Sequence, residues 1–331
     1  MKRLSNVLAI GLMALSINAC VAGKYMSSFA LTPTPHGVDD IERTRHKADS
    51  LLPGSTAWYD SLKTAGILKD AWTQSWNGGV KLHACYVPAK DPANAQGTAI
   101  VVHGYGDNHF VFLYLVRMYR DELNYNVLFP DLQYHGYSEG ESIQMGWFDR
   151  LDVEQWAQIA HDTFNDDFMV FHGVSMGGAT VMMASGDPLP PYVKCIVEDC
   201  GYASVIVQFN NNRKQSFGFI PPDVLQSASL VTKKKYGWGF WEASSVKQLE
   251  KSTIPMLFIH GDADDFVPFD NLKMNYDAKT KGYKEQYVCH GAVHANSFAK
   301  DPVIYKKVVG NFLKTVKNMI AVGNYPNGVQ K

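Results

Sequence analysis

The stretch 168–184 constrains the fold of this chain more than any other. An apolar run, Phe168 to Phe171, leads into a turn in which Ser175 lies between Gly173 and Gly177, and small and apolar residues follow. This is a G-x-S-x-G pattern between a strand and a helix, where a side chain at either glycine would collide with its neighbours. The turn places the serine hydroxyl at a helix N-terminus, where backbone N–H groups stabilise negative charge. Ser175 is therefore a candidate nucleophile, and an ordinary glycine-rich turn is the alternative.

Strands and helices alternate along most of the chain. The predicted hairpin and buried strands lie at 71–76, 80–87, 98–102, 126–130, 168–174, 193–198, 255–260 and 285–289, and the helices at 38–52, 56–68, 110–123, 152–164, 176–185 and 303–319. This alternation predicts an α/β fold with a doubly wound, mostly parallel sheet and right-handed crossovers. With 331 residues, 46% of them hydrophobic, the chain can form one large domain, here placed at 37–331.

More than fifty residues without a buried strand separate the strand near 198 from the one beginning at Pro255. This segment is rich in aromatic residues, among them Trp238, Phe240 and Trp241. Insertions at the carboxyl ends of strands lie over the site in open α/β sheets. The segment at about 202–250 is therefore interpreted as a small helical lid, and a surface excursion without substrate contact is the alternative.

The first nineteen residues have the features of a signal peptide. Lys2 and Arg3 precede a short apolar segment, 7–17, that is too short to span a bilayer. The segment ends in Ile-Asn-Ala-Cys, which resembles a bacterial lipobox and predicts lipidation at Cys20. Residues 20–36 are then interpreted as a tether, and the protein as exported and lipid-anchored in a bacterial cell envelope. A plain secretory signal is the alternative.

The net charge and the cysteine content bear on the expected partners and on disulfide formation. The net charge of −1 gives no reason to expect nucleic acid as a partner. Cysteines in an exported protein can form disulfides, but free cysteine is also a common buried residue. We favour buried thiols for Cys85, Cys195, Cys200 and Cys289. Because Cys195 and Cys200 are an odd number of residues apart, they are expected on opposite faces of one strand.

A serine hydroxyl needs a base, and the base needs a group that fixes its tautomer. Downstream of Ser175, a buried strand leads into a segment with several acidic residues, 260–268. The last strand leads into Cys289 to His294, with two histidines. The order serine, aspartate, histidine is the one expected of the α/β-hydrolase fold.

These segments resemble α/β-hydrolases of the serine aminopeptidase-like and monoacylglycerol-lipase-like group, and exported bacterial members in particular. The resemblance runs from about Trp76 to the C-terminus. A G-x-x-D-x-x-V-P motif, Gly261 to Pro268, implies that Asp264 is the acid, with Asp262, Asp265 and Asp199 as the less favoured positions. The same pattern implies that the base is His294 rather than His290.

A second stretch of the resemblance is Val102 to Asp107. It implies that the backbone N–H groups of Tyr105 and Met176 form the oxyanion hole, and that His103 anchors the loop. The segment 131–138 resembles a loop of the same group and is expected to support the turn at Ser175. The cluster at 147–156, with Trp147, Asp149, Arg150, Asp152 and Trp156, is interpreted as a structural network.

The sequence therefore predicts a serine hydrolase that cleaves a carboxylic ester. The main alternative is an aminopeptidase or amidase, for which Asp223 and Glu242 of the insertion would be candidate partners of a free amine. A noncatalytic binding protein on the same scaffold is the less favoured reading. No cofactor is expected, and no metal, since His290 and His294 lie outside any helical metal motif.

Overall fold

The computed structural model describes residues 21–33, 38–216 and 222–325. The predicted signal peptide and the lipidation position Cys20 lie outside the described residues. The described chain forms an α/β fold built on an eight-stranded sheet. The strands are β1 (Lys69–Gln74), β2 (Lys81–Val87), β3 (Thr98–Val102), β4 (Asn126–Pro130), β5 (Met169–Val174), β6 (Val193–Asp199), β7 (Met256–Gly261) and β8 (Lys284–Cys289).

The sheet has the order β1-β2-β4-β3-β5-β6-β7-β8. The β1–β2 and β2–β4 pairs are antiparallel, and the remaining pairs are parallel. The predicted doubly wound, mostly parallel sheet is confirmed. Strands β3, β5 and β7 are buried along their whole length, as expected for parallel strands covered on both faces. Their carboxyl ends lie at one edge, where the loops that carry the candidate site residues emerge.

Helices cover both faces of the sheet. They are α1 (21–31), α2 (Val38–Leu51), α3 (Ser55–Thr64), α4 (Leu113–Arg117), α5 (Asp149–Phe164), α6 (Met176–Ala184), α7 (Val205–Ser216), α8 (Pro222–Tyr236), α9 (Ser245–Leu249), α10 (Asp270–Ala278), α11 (Ser297–Lys300) and α12 (Pro302–Ala321). Side chains of α5 and α6 pack on one face, and those of α4 and α12 on the other. Along β3, Ile100 and Val102 face the first layer and Ala99 and Val101 the second.

The helix predicted near 110–123 is shorter and less regular than expected. Helix α4 covers only five residues, and a π-helical turn, Met118–Glu122, continues it. The wide turn is closed by the Leu123 amide, which donates to the Met118 carbonyl at 3.0 Å.

Three helices, α7, α8 and α9, occupy the insertion between β6 and β7. Trp238 and Phe240 of this insertion are fully buried and belong to the same core as α6. The insertion is therefore packed onto the body of the fold through its aromatic residues rather than resting loosely on it.

The segment 20–36, interpreted from the sequence as a tether, is partly helical in the structure. Residues 21–31 form a helix, and Leu31 at its end is fully buried. The helix packs on α8, where the Ser27 and Thr232 hydroxyls lie 2.8 Å apart, and its Ala30 carbonyl accepts a hydrogen bond from the Tyr105 hydroxyl at 2.9 Å. Its small residues permit this close packing, because a Cβ at Gly23 would lie 2.4 Å from the Ser227 hydroxyl oxygen.

All four cysteines of the described chain are free and buried, as favoured from the sequence. The expectation that Cys195 and Cys200 face opposite ways is wrong, since both belong to one core layer. Strand β6 ends at Asp199, and Cys200 has a φ of 49°, so the backbone turns before the side chain is placed. In the described part of the chain, every helix is too short or too polar to cross a lipid bilayer.

The packing of α1 can be tested by replacing Leu31 with alanine. A Leu→Ala change in a core costs roughly 2–5 kcal/mol, because it removes buried apolar surface and leaves a cavity. We expect chemical denaturation of a chain beginning at residue 21 to show that loss of unfolding free energy. Val21→Ala, on the same helix but 63% exposed, is the matched control with little effect. Equal unfolding free energies of Leu31→Ala and Val21→Ala would contradict the packing of α1 on the folded body.

Candidate active site

Ser175 occupies a strained turn between β5 and α6. Its φ of 58° and ψ of −119° are unusual for a residue with a side chain, and its amide donates to the Asp199 carbonyl at 2.8 Å. The flanking glycines are required by space. A Cβ at Gly173 would lie 2.1 Å from the Gly177 carbonyl oxygen, and one at Gly177 would lie 2.1 Å from the Val102 carbonyl oxygen. The turn is thus in close contact with the end of β3.

The structure brings together Ser175, His294 and Asp264. Ser175 Oγ lies 2.8 Å from His294 Nε2, and His294 Nδ1 lies 2.7 Å from Asp264 Oδ2. Ser175 is 8% exposed, and the His294 side chain is 19% exposed. A neutral imidazole with its proton on Nδ1 donates to the carboxylate and accepts from the hydroxyl. This arrangement can remove a proton from Ser175 and return it to a leaving group.

Asp264 is held as a carboxylate by its surroundings. Its Oδ1 accepts hydrogen bonds from the amides of Phe266 and Val267, at 3.0 and 2.9 Å. Burial alone would raise the pKa of Asp264, but the side chains of His260 and His294 outweigh it and hold the pKa at about 2. The His260 Nε2 atom lies 3.4 Å from Asp264 Oδ2. The carboxylate is therefore charged at neutral pH.

The less favoured positions for the acid and the base lie elsewhere. His290 Nδ1 is 2.7 Å from Asp262 Oδ2, so these two side chains bind each other at the surface. The carboxylate of Asp199 accepts from the hydroxyls of Ser297 and Tyr305, each at 3.1 Å. Neither Asp262 nor Asp199 has a hydrogen bond to His294.

The two predicted oxyanion donors have free amides. Within residues 21–33, 38–216 and 222–325, the N–H groups of Tyr105 and Met176 have no hydrogen-bond acceptor. The loop that carries Tyr105 lies close to the serine, because a Cβ at Gly104 would be 3.3 Å from the Ser175 Cβ. Two unpaired amides beside the hydroxyl are suited to a developing oxyanion.

Two histidines fix the loop that follows β3. His103 Nδ1 donates to the Gly104 carbonyl at 2.8 Å, and its Nε2 accepts from the Leu132 amide at 2.9 Å. Burial lowers the pKa of His103, which suits a neutral ring with this hydrogen-bond pattern. His135 Nε2 accepts from the Gly106 amide at 3.1 Å. The segment 131–138 therefore holds the loop that carries Tyr105, on the oxyanion side of the site.

Sequence reasoning gave no role to two residues beside the site. Cys200 Sγ and ligand atoms of Asp264 and His294 lie within 4.8 Å of one another. The Phe266 ring centroid lies 4.9 Å from that of His294. Phe266 lies within the acidic segment 260–268, directly after Asp265, and could have been noted there. The position of Cys200, by contrast, depends on a backbone turn that the sequence does not indicate.

The cluster at the start of α5 is a hydrogen-bonded network. Asp152 accepts from the Trp76 amide at 2.8 Å and from Gln133 Nε2 at 2.7 Å, which ties α5 to the β1–β2 hairpin and to the 131–138 segment. Asp149 accepts from the Gly146 amide at 2.8 Å. Burial, together with the charge of Asp152, raises the pKa of Asp149 to about 7.

Comparison with known protein families agrees with the α/β fold described above. The prolyl oligopeptidase family matches residues 142–307, half of the chain, and this segment contains Ser175, Asp264 and His294. This chain belongs to the prolyl oligopeptidase family. Family membership and fold together make it an α/β-hydrolase enzyme.

Two bacterial proteins have similar sequences. The uncharacterized protein YqkD of Bacillus subtilis is 26% identical over 77% of this chain and 81% of its own length. The uncharacterized protein YfhR of Escherichia coli K12 is 24% identical over 72% of this chain and 78% of its own length.

Solved structures of other α/β hydrolases have the same fold. The Pyrococcus furiosus esterase Pf2001 has a TM-score of 0.61 and 21% identity, over 77% of this chain and 93% of its own. The Pyrococcus horikoshii acylaminoacyl peptidase has a TM-score of 0.54 and 12% identity, over 76% of this chain and 42% of its own.

The buried carboxyl of Asp149 predicts a pH dependence of stability. Unfolded aspartate loses its proton near pH 4, whereas folded Asp149 keeps it to about pH 7, so unfolding releases a proton between these values. Stability therefore falls as pH rises through this window, by up to about 4 kcal/mol, since one pKa unit corresponds to about 1.4 kcal/mol. We expect denaturation curves of Asp149→Asn to lose this component.

Asp167→Asn, which changes an exposed carboxyl after α5, is the matched control and should follow the wild type. If the stability of Asp149→Asn and of the wild type changed in parallel from pH 4 to pH 8, a neutral buried Asp149 would be excluded.

Proposed function

We propose that this enzyme cleaves carboxylic esters through an acyl-enzyme, with Ser175 as nucleophile, His294 as general base and acid, and Asp264 as the group that orients His294. The observation that carries the proposal is the continuous hydrogen-bonded chain from Ser175 Oγ through the imidazole to Asp264. Each distance lies in the range required for proton transfer and tautomer control. The resemblance to the serine aminopeptidase-like and monoacylglycerol-lipase-like group supports the same roles.

Acylation begins when His294 Nε2 accepts the Ser175 proton as Oγ forms a bond to the ester carbonyl carbon. The carbonyl oxygen becomes an oxyanion, and the imidazole becomes an imidazolium. Asp264 stabilises this cation through the 2.7 Å hydrogen bond from Nδ1. His294 then gives the proton to the leaving alkoxide as the carbon–oxygen bond breaks, and an alcohol departs. Water repeats the sequence to release the acid and restore Ser175.

The amides of Tyr105 and Met176 are the proposed donors to the oxyanion. Removing one such donor typically costs about 3 kcal/mol of transition-state stabilisation. His103 and His135, which hold the loop after β3 from two sides, keep the Tyr105 amide oriented. Because this loop is fixed before substrate binds, little reorganisation is required during the reaction.

The charges around the insertion favour an ester over a peptide with a free amino terminus. An aminopeptidase needs a carboxylate that binds the substrate ammonium. Glu242 instead forms an ion pair with Lys233. Asp223 is exposed in the first turn of α8. Because Glu242 is paired with Lys233 and Asp223 is exposed to solvent, we favour an ester over a peptide with a free amino terminus.

Cleavage of an amide is the second candidate function. It is favoured by membership of the prolyl oligopeptidase family and by the fold shared with an acylaminoacyl peptidase. The same three side chains serve both reactions, but an amine leaving group must be protonated by His294 before it departs. An acyl-blocked peptide would need no partner for a free amine.

The proposed activity can be tested by measuring the hydrolysis of short-chain aryl esters and of aminoacyl anilides side by side. We expect the ester to be the better substrate. Ser175→Ala should reduce its hydrolysis by roughly a million-fold, since loss of a triad nucleophile removes most of the catalysis. A fluorophosphonate probe should label the wild type and not this variant.

Ser61→Ala changes a hydroxyl on α3, far along the chain from the proposed triad, and should retain full activity and labelling. Equal labelling of Ser175→Ala and the wild type would refute the assignment of the nucleophile. Faster hydrolysis of the anilide than of the ester would leave the nucleophile in place and select the amidase.

We further propose that the protein is exported and held on a membrane of the bacterial envelope by a lipid on Cys20. The positive start, the short apolar segment and the lipobox-like end of residues 1–20 support this proposal. The ester or amide substrate would then be met at the envelope. In this arrangement the lipid would lie next to α1, so no flexible segment would separate the anchor from the folded body.

Lipidation can be tested by expression with a labelled fatty acid. We expect the label in the wild type and its loss in Cys20→Ser, since no thiol remains for acylation at that position. Cys289→Ser, which changes a buried thiol of the folded body, should keep the label. Label that persists in Cys20→Ser would exclude the proposed anchor.

A further inference from the structure

Three unlike donor atoms converge at the β1–β2 edge of the sheet, apart from the candidate active site. Asp70 of β1 is paired in register with Cys85 of β2, and His83 lies two residues before Cys85 on the same face. Asp70 Oδ1 is 3.1 Å from His83 Nε2 and 3.6 Å from Cys85 Sγ, and Sγ is 3.9 Å from Nε2. The His83 and Cys85 side chains are buried, while that of Asp70 is 40% exposed.

These distances are close to the ligand-to-ligand distances of a tetrahedral zinc site. Zinc binds nitrogen and oxygen at about 2.0–2.2 Å and sulfur at about 2.3 Å, which gives tetrahedral ligand-to-ligand distances of roughly 3.4 Å for N–O and roughly 3.6 Å for both S–O and S–N. In the structure the N–O distance is likewise the shortest of the three, and all three lie within about 0.3 Å of these values. The site would need only small side-chain movements to bind the metal.

His83 has the support that a metal-binding histidine requires. Its Nδ1 lies 2.8 Å from the buried carboxylate of Asp131, which therefore accepts the Nδ1 proton. The Nε2 lone pair then faces the Asp70 carboxylate, so two acceptors oppose each other unless a cation lies between them. Metal-bound histidines typically donate their second nitrogen to a carboxylate in this way. A proton on Nε2 would also relieve the opposition, with the Cys85 thiol donating to Asp70 Oδ1, whereas a zinc ion in its place would bind all three atoms.

We propose that Asp70, His83 and Cys85 bind a zinc ion, with water as the fourth ligand on the exposed side of Asp70. The sulfur–zinc bond forms as the thiol proton leaves to solvent, so zinc binding releases one proton. Lys63, which forms an ion pair with Asp70 Oδ1, must leave that oxygen. The Tyr59 hydroxyl, 3.3 Å from Sγ, can donate a hydrogen bond to the thiolate.

The role of this zinc site would be structural. The Asp131 carboxylate that receives the His83 proton also accepts from the amide of His109, at 2.9 Å, on the loop that carries Tyr105. Zinc would thus connect the outer hairpin to the loop of the proposed oxyanion hole through two buried side chains. Its removal should lower the melting temperature of the protein and leave the proposed triad intact.

A second group of possible ligands, Cys200, Asp264 and His294, must be distinguished from this one. There the histidine and the carboxylate hydrogen-bond to each other at 2.7 Å and to Ser175, so a metal would have to break the proposed triad. Zinc at that position would abolish hydrolysis, whereas zinc at the hairpin would not.

The test uses the mature folded chain stripped of metal, with zinc binding measured by competition against a chromophoric chelator. We expect one zinc per chain. Asp70→Asn should weaken binding at least about tenfold, as loss of an outer-shell partner alone costs 10–100-fold. Lys63→Gln breaks the same ion pair but keeps every ligand, so it should bind zinc at least as tightly as the wild type. Cobalt bound to the wild type should give a thiolate charge-transfer band that Cys85→Ala lacks.

Cys200→Ala should retain the zinc, the cobalt band and its stoichiometry. Circular dichroism checks that each variant folds, and Asp70→Asn, on an exposed edge strand, keeps the test valid if Cys85→Ala does not fold. The proposal is overturned if the wild type binds no zinc at micromolar free concentration, if Asp70→Asn binds as tightly as Lys63→Gln, or if the zinc is lost in Cys200→Ala instead.

Discussion

The close approach of the β5–α6 turn to the end of β3 is the contact on which the site depends. With no side chain at residue 177, its backbone lies directly against the Val102 carbonyl, and Ser175 is forced into an unusual backbone conformation. The amide of Ser175 is bound by the Asp199 carbonyl on the other side. The nucleophile position is therefore fixed by main-chain contacts to two neighbouring strands, and the loop after β3 is brought beside it.

The positions of Ser175, Asp264 and His294 could be predicted because each follows a parallel strand of the sheet. Carboxyl ends of parallel strands lie at one edge, so a serine, an aspartate and a histidine placed there in that order can meet. The family resemblance implied which aspartate and which histidine, Asp264 and His294. Their roles in catalysis remain proposals that rest on geometry and family resemblance.

Features that depend on pairing between strands could not be predicted in the same way. The meeting of Asp70 with Cys85 follows from the antiparallel register of β1 and β2, which apolar patterns alone do not set. His260 comes to lie beside Asp264 because the loop folds back on its own strand, where the His260 ring also contacts the Val267 carbonyl at 2.9 Å. Because the backbone turns at Cys200, its side chain lies on the face opposite to the one that strand alternation predicts.

The packing of the amino-terminal helix α1 could not be predicted from the sequence, because its contact with α8 uses small and polar residues as well as apolar ones. Gly23 and Ser27 provide little hydrophobic signal, yet small side chains allow two helices to pack closely, as α1 does on α8. Whether such small residues pack against a second helix can be judged only when that helix is known.

The hydrogen bond from the Tyr105 hydroxyl to the Ala30 carbonyl has a practical consequence. A recombinant protein trimmed to the domain boundary suggested by sequence, near residue 37, would lack the carbonyl that fixes this ring and would expose the surface of α8 to water. Rate constants obtained from such a shortened enzyme would describe a molecule that lacks one of the contacts holding Tyr105, the residue whose amide is a proposed oxyanion donor.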